Sequence, residues 1–227
     1  MNNIAQSIFA IRHKIQDLEL KYQRPAESVK LLAVSKTKPV ESVREAMAAG
    51  QVDFGENYVQ EAIRKINQIN HPGLGWHFIG PVQSNKTRTI AQYFQWVHSI
   101  DRDKIAQRLN DNRPENLPPL NICLQVNVSD EQSKSGVKLS ELEKLAEFCS
   151  TLPRLKLCGL MALPAICDDF EQQRIPFKKM RDLLTRLQAD FPAMETLSMG
   201  TTHDMEAAIA EGSTIVRIGS AIFGARS

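Results

Sequence analysis

Leu31-Leu32-Ala33-Val34 runs into Ser35-Lys36, and Thr37-Lys38-Pro39 then breaks the apolar pattern. A short continuous apolar run bounded by breakers reads as a strand buried on both faces, as in a parallel sheet. That reading makes the fold α/β. It also puts Lys36 at the strand's carboxyl end, where α/β folds carry their chemistry. A lysine there has two readings: a solvated cation, the common case, or an amine that forms a Schiff base with a carbonyl compound. By itself the stretch favours the first.

Upstream, Ile4, Ile8, Ile11, Ile15 and Leu18 make one apolar stripe on a helix that ends near Arg24-Pro25. Downstream, strands are read at Val52–Gly55, Trp76–Gly80, Trp96–Ile100, Asn121–Val128, within Leu155–Leu163, and at Thr196–Met199 and Thr214–Ile218. Helices are read between them: Val40–Ala49, Glu56–Asn70, Ser84–Phe94, Arg102–Asn110 with Asp101 as its cap, a stripe from Leu139 to Cys149, Phe170–Ala189, and Thr202–Glu211. About eight strands, each followed by a helix or turn, imply parallel strands with right-handed crossovers closing into a (β/α)8 TIM-type barrel. The expectation is a single domain over 1–227, with an extra N-terminal helix in 1–24 and the barrel in 31–227. An open doubly wound sheet is the alternative, and no G-x-G-x-x-G follows the first strand in its favour.

Bulk composition excludes several classes. Of 227 residues, 42% are hydrophobic and 24% charged, with a net charge of +2, so no basic field points to nucleic acid. No apolar run approaches the ~20 residues of a membrane span. Met1–Phe9 lacks the basic region and cleavage site of a secretory signal. A soluble cytoplasmic protein is expected. Cys123, Cys149, Cys158 and Cys167 form no C-x-x-C pair, and the five histidines show no metal-binding spacing, so no metal site is expected.

Function in a barrel lies at the strands' carboxyl ends. Gly200-Thr201-Thr202 and Gly219-Ser220 are glycine-hydroxyl turns at the ends of the last two strands, where TIM barrels commonly hold phosphate. Thr201 or Thr202 equally reads as a plain helix cap. Arg217 stands inside a buried strand. It either neutralises an acidic partner in the barrel or donates to a ligand's ring nitrogen. A lysine nucleophile, a phosphate site and a buried arginine together suggest pyridoxal 5'-phosphate (PLP), its aldehyde on Lys36 and its ring nitrogen at Arg217.

Leu32-Ala33-Val34-Ser35-Lys36-Thr37, Phe54-Gly55-Glu56-Asn57-Tyr58, His77-Phe78-Ile79-Gly80, Gln83-Ser84-Asn85-Lys86, Gly159-Leu160-Met161, Leu197-Ser198-Met199-Gly200 and Val216-Arg217-Ile218-Gly219 resemble the motifs of the pyridoxal phosphate homeostasis protein family. The likeness spans nearly the whole chain. It implies a barrel similar to the N-terminal domain of alanine racemase and a Schiff base on Lys36. It places Asn57 and Met161 beside the cofactor, Ser198, Gly200, Thr202, Gly219 and Ser220 around it or its phosphate, and Arg217 at the pyridine nitrogen. It further implies a carrier without strong catalytic activity, expected as a monomer, with PLP-dependent apo-enzymes as recipients. Lys38 and Lys134 match family lysines considered for secondary binding or transfer; both also read as solvated surface lysines. This chain has Thr201-Thr202 where the family reads Met-Ser, which keeps a hydroxyl and adds a methyl. The alternative is a PLP-dependent amino-acid racemase, which needs a second base; Tyr58 and Tyr93 are the candidates.

Overall fold

In the computed structural model, which describes residues 3–128 and 135–224, eight parallel strands close into a barrel in sequential order. The chain starts with helix α1 (Ile4–Lys21), whose stripe of Ile4, Ile8, Ile11, Ile15 and Leu18 is buried as its spacing predicts. Strand β1 (Lys30–Val34) follows, then α2 (Val40–Ala48), β2 (Asp53–Glu56), α3 (Val59–Ile69), β3 (Gly75–Phe78), α4 (Thr87–Tyr93), β4 (Trp96–Ile100) and α5 (Asp103–Asn112). The second half is β5 (Leu120–Gln125), α6 (Leu142–Ser150), β6 (Leu155–Met161), α7 (Phe170–Leu187), β7 (Thr196–Ser198), α8 (Met205–Ala210), β8 (Ile215–Ile218) and α9 (Ser220–Phe223). β1 closes the barrel by pairing with both β2 and β8, with Leu32 opposite Arg217.

The strands separate two kinds of interior. Leu31, Ala33, Phe54, Phe78, Val97, Ile122 and Val216 join the apolar cluster beneath the helices. The faces directed into the barrel carry buried polar groups, among them His77, His98, Ser198 and Arg217. Alternation of direction along each strand produces this division.

Three local expectations need correction. Asp101 does not cap α5: the N-cap is Arg102, and Asp101 accepts instead from the Arg102 guanidinium at 2.6 Å. α8 starts at Met205, not Thr202, because Asp204 Oδ1 accepts from Thr201 N (2.6 Å) and Thr201 Oγ1 (2.8 Å) and holds 201–204 as a separate turn. Glu56 belongs to β2, not to the following helix, and its side chain is fully buried. α9, immediately after Gly219, was not foreseen.

Candidate functional site

A cavity of about 220 Å³ opens at the carboxyl ends of the strands. Its lining brings together Lys36, Asn57, Met161, Thr202, Arg217, Gly219 and Ser220, which come from five separate places in the sequence. Val34, Ile79, Leu163, Thr201 and His203 complete it. Ser198 and Gly200, expected at the cofactor, do not line the cavity and act beneath it. Lys38 is also absent from the lining, and Lys134 lies outside the described residues. A larger cavity, of about 450 Å³, lies elsewhere, between α1 and the starts of β1 and β2. Its polar groups Arg12, Glu19 and Gln51 are already engaged within the chain, chiefly with backbone, so it offers less to a ligand.

Lys36 sits two residues beyond Val34, the last residue of β1, and both of its flanks are pinned. Lys65, buried on α3, donates to Ser35 O (2.7 Å), Glu56 Oε1 (2.7 Å) and Glu61 Oε1 (2.6 Å), which uses all three ammonium protons. Ser35 Oγ donates to Glu56 Oε1 at 2.7 Å, and Thr37 N donates to Glu61 Oε1 at 2.6 Å. Thr37 holds a left-handed φ of 63°, so the turn that aims Lys36 is fixed by its neighbours rather than by local preference. Burial pushes the Glu56 carboxyl up, while Lys65 draws it down.

At the other side of the cavity, Thr202 Oγ1 and Ser220 Oγ come within 3.4 Å of each other from the ends of β7 and β8. Gly200 has φ 98°, and a Cβ there would lie 2.7 Å from the Ala208 Cβ. Only glycine lets the chain turn there and set Thr201-Thr202 at the mouth. A Cβ on Gly219 would press on Val34 O at 3.2 Å. Two hydroxyls and a side-chain-free backbone therefore face one another, a donor set suited to a phosphate group. Asn57 Oδ1 is buried with no hydrogen-bond partner, which marks a further polar group at the cavity without a partner among the described residues.

Arg217 forms the floor. It donates through one terminal nitrogen to Ser198 O (2.5 Å) and Ser198 Oγ (2.9 Å), and through the other to Ala162 O (2.9 Å). The expectation of an acidic partner is corrected: Arg217 donates to two carbonyls and a hydroxyl. Burial depresses its pKa to about 10, with Asp204 and Cys123 acting weakly in the opposite sense. It remains a cation and can only donate. Composition gave no hint that Ser198 would face Arg217; the structural signal is that both lie on the inward faces of adjacent strands. His203 was also missed, although it directly follows Thr202 and lines the same cavity.

An amine, a pair of hydroxyls and a donor-only cation around one barrel mouth make a donor set suited to a small phosphorylated carbonyl compound. The family model described as "Alanine racemase, N-terminal domain" matches residues 7–227. A pyridoxal phosphate homeostasis protein of Vibrio alginolyticus is 55% identical, the match covering 100% of this chain and 99% of that protein. Two solved structures of PipY from Synechococcus elongatus PCC7942 superpose closely. The one without PLP has a TM-score of 0.86 at 36% identity, covering 97% of this chain and 100% of that one. The one with PLP bound has a TM-score of 0.84 at 35% identity, with the same coverage. The chain belongs to the pyridoxal phosphate homeostasis proteins, within the alanine racemase N-terminal domain family.

Proposed function

We propose that this chain binds PLP, holds it as a Schiff base on Lys36, and stores it for delivery to apo-enzymes without strong catalysis of its own. One observation carries the reading: Lys36, the Thr202–Ser220 hydroxyl pair and Arg217 converge on a single cavity of about 220 Å³. PLP supplies an aldehyde that condenses with an amine and a ring that withdraws electrons best when its nitrogen is protonated. The chain's residues match those demands. Lys36 presents the amine from a pinned turn. Thr202, Ser220 and the backbone at Gly219 receive the phosphate. Asn57 and Met161 flank the ring.

Arg217 decides what the site does with the cofactor. A donor-only cation facing the ring nitrogen satisfies that nitrogen's lone pair and leaves it unprotonated. The ring is then a weak electron sink, which suits holding over turnover. The racemase alternative needs a base opposite Lys36, and neither Tyr58 nor Tyr93 is among the lining residues. We further read the chain as one domain, monomeric and cytoplasmic. The four cysteines are unpaired, as in a reducing compartment. Among the described residues no helix is long and apolar enough to cross a membrane.

The test is the absorbance of protein incubated with PLP, followed by borohydride and peptide mapping. A reducible adduct on Lys36, lost in Lys36→Ala while weak reversible PLP binding persists, is the expected result. An equal reducible adduct in Lys36→Ala sinks the assignment. Robust racemisation abolished by the same substitution would replace storage with catalysis.

A further inference from the structure

Behind Arg217, a file of hydrogen bonds runs through the barrel interior. Ser198 Oγ lies 2.9 Å from the Arg217 guanidinium and 2.7 Å from His98 Nδ1. His98 Nε2 lies 2.9 Å from His77 Nδ1, and His77 Nε2 lies 3.2 Å from Asp53 Oδ1. The side chains come from β8, β7, β4, β3 and β2. The file begins at the candidate site and ends at the first residue of β2, by the opposite end of the barrel.

The far end fixes the direction of the file, because the Asp53 carboxylate only accepts and each neutral imidazole carries a single proton. At the near end, Ser198 Oγ accepts a hydrogen bond from Arg217 and donates its own hydroxyl proton to His98 Nδ1. His98 then carries its proton on Nε2 and donates to His77 Nδ1. His77 in turn carries its proton on Nε2 and donates to Asp53, a carboxylate that only accepts. Every proton has one place. A second proton on His98 would set a new cation beside the buried Arg217 guanidinium. Burial pushes both histidines below the usual imidazole pKa; His77 and the Arg217 charge add to this at His98, whereas Asp53 opposes it at His77. The His77 ring is also clamped flat against Trp96, with centroids 5.4 Å apart and planes 3° from parallel.

We propose that His98 is a positioning residue for Arg217: through Ser198 it orients the guanidinium that meets the ring nitrogen, and His77 and Asp53 lock His98 in the one tautomer that can do so. The second clause of this proposal rests on the PLP reading, whereas the file itself does not. A site of hydroxyls and carbonyls alone would leave the Ser198 hydroxyl free to rotate; the neutral histidine gives it a single acceptor.

The experiment uses full-length protein labelled with nitrogen-15 in histidine, with and without added PLP. Long-range nitrogen–proton spectra should show both His77 and His98 protonated on Nε2 and bare on Nδ1. In parallel, His98→Phe removes the acceptor for Ser198, whereas His98→Asn keeps an oxygen near the Nδ1 position. His98→Phe should weaken PLP retention about tenfold, the scale of one hydrogen bond to a charged group, and shift the bound cofactor's absorbance band. His98→Asn should restore both toward wild type. A wild-type His98 carrying its proton on Nδ1, or on both nitrogens, overturns the proposal. So does a folded His98→Phe protein with wild-type band and retention. Should His98→Phe fail to fold, the wild-type tautomers decide. A wild type that takes up no PLP would end the storage reading, while the nitrogen spectra would still judge the file.

Discussion

Lys65 has its ammonium buried, with side-chain exposure of 5%, between Glu56 at 0% and Glu61 at 20%. A helix position with this spacing reads as solvent-facing, yet here the long stem reaches inward to the turn around Lys36. Removing one member of such a cluster leaves uncompensated charge in a poorly solvated place, which is more costly than never having had the pair. Lys65→Met is expected to cost about 3–5 kcal/mol, read as a lower urea midpoint. It should also slow adduct formation on Lys36, because Ser35 O and the Glu61–Thr37 contact lose their anchor. Adding Glu56→Gln should recover part of the stability, since the double variant no longer buries an unpaired carboxylate. An unchanged midpoint in Lys65→Met would mean that the cluster is not a structural unit.

At the scale of elements, the closest backbone approach lies where β6 meets β7, the shortest strand with three residues. Gly159 pairs with Thr196 there, and a Cβ on it would fall 1.9 Å from Thr196 O. Gly159→Ala should therefore force the strands apart and lower stability by about 3 kcal/mol or more, measured by thermal unfolding. Gly224→Ala is the contrast: φ is 79° but nothing lies within 4 Å, so only backbone strain of about 1 kcal/mol is expected. Both glycines look alike in the sequence, and that sets the limit of what could be read there. Apolar runs such as Leu31–Val34 and the isoleucine stripe of α1 announce the elements, because burial demands periodicity. The mouth residues were legible because chemistry gathers at strand ends. Asp101 misled because a capping residue and an ion-pair partner have the same composition. Thr202 misled because Asp204 captures Thr201 first and delays the helix. The file from Asp53 to Arg217 was not legible, since His98 and Ser198 stand 100 residues apart and meet only once the barrel closes.

For the whole molecule, a barrel with a polar interior has a stability that depends on pH in a direction the buried groups determine. His77 and His98 are both held below the usual histidine pKa by burial, with Asp53 opposing the shift at His77 and the Arg217 charge reinforcing it at His98. Above about pH 6.5 neither the folded nor the unfolded chain protonates these rings, so nothing is lost. As pH falls below that value, the unfolded chain takes up two protons that the folded chain refuses. Stability should then fall by up to about 2.7 kcal/mol per pH unit, the sum for two such groups. Glu56 acts with the opposite sign: its folded carboxyl is raised, so it takes up a proton before its unfolded counterpart and offsets part of the loss at lower pH. Urea midpoints compared at about pH 7.5 and pH 5.5, either side of the unperturbed histidine pKa, should show the decline at fixed PLP concentration, because bound ligand adds its own stabilisation. Replacing His77 by Gln and His98 by Asn should flatten the profile in this window even if it lowers stability throughout. A profile of unchanged slope in that double variant would assign the acid sensitivity to other groups and would mean that the interior histidines titrate alike in the folded and unfolded chain.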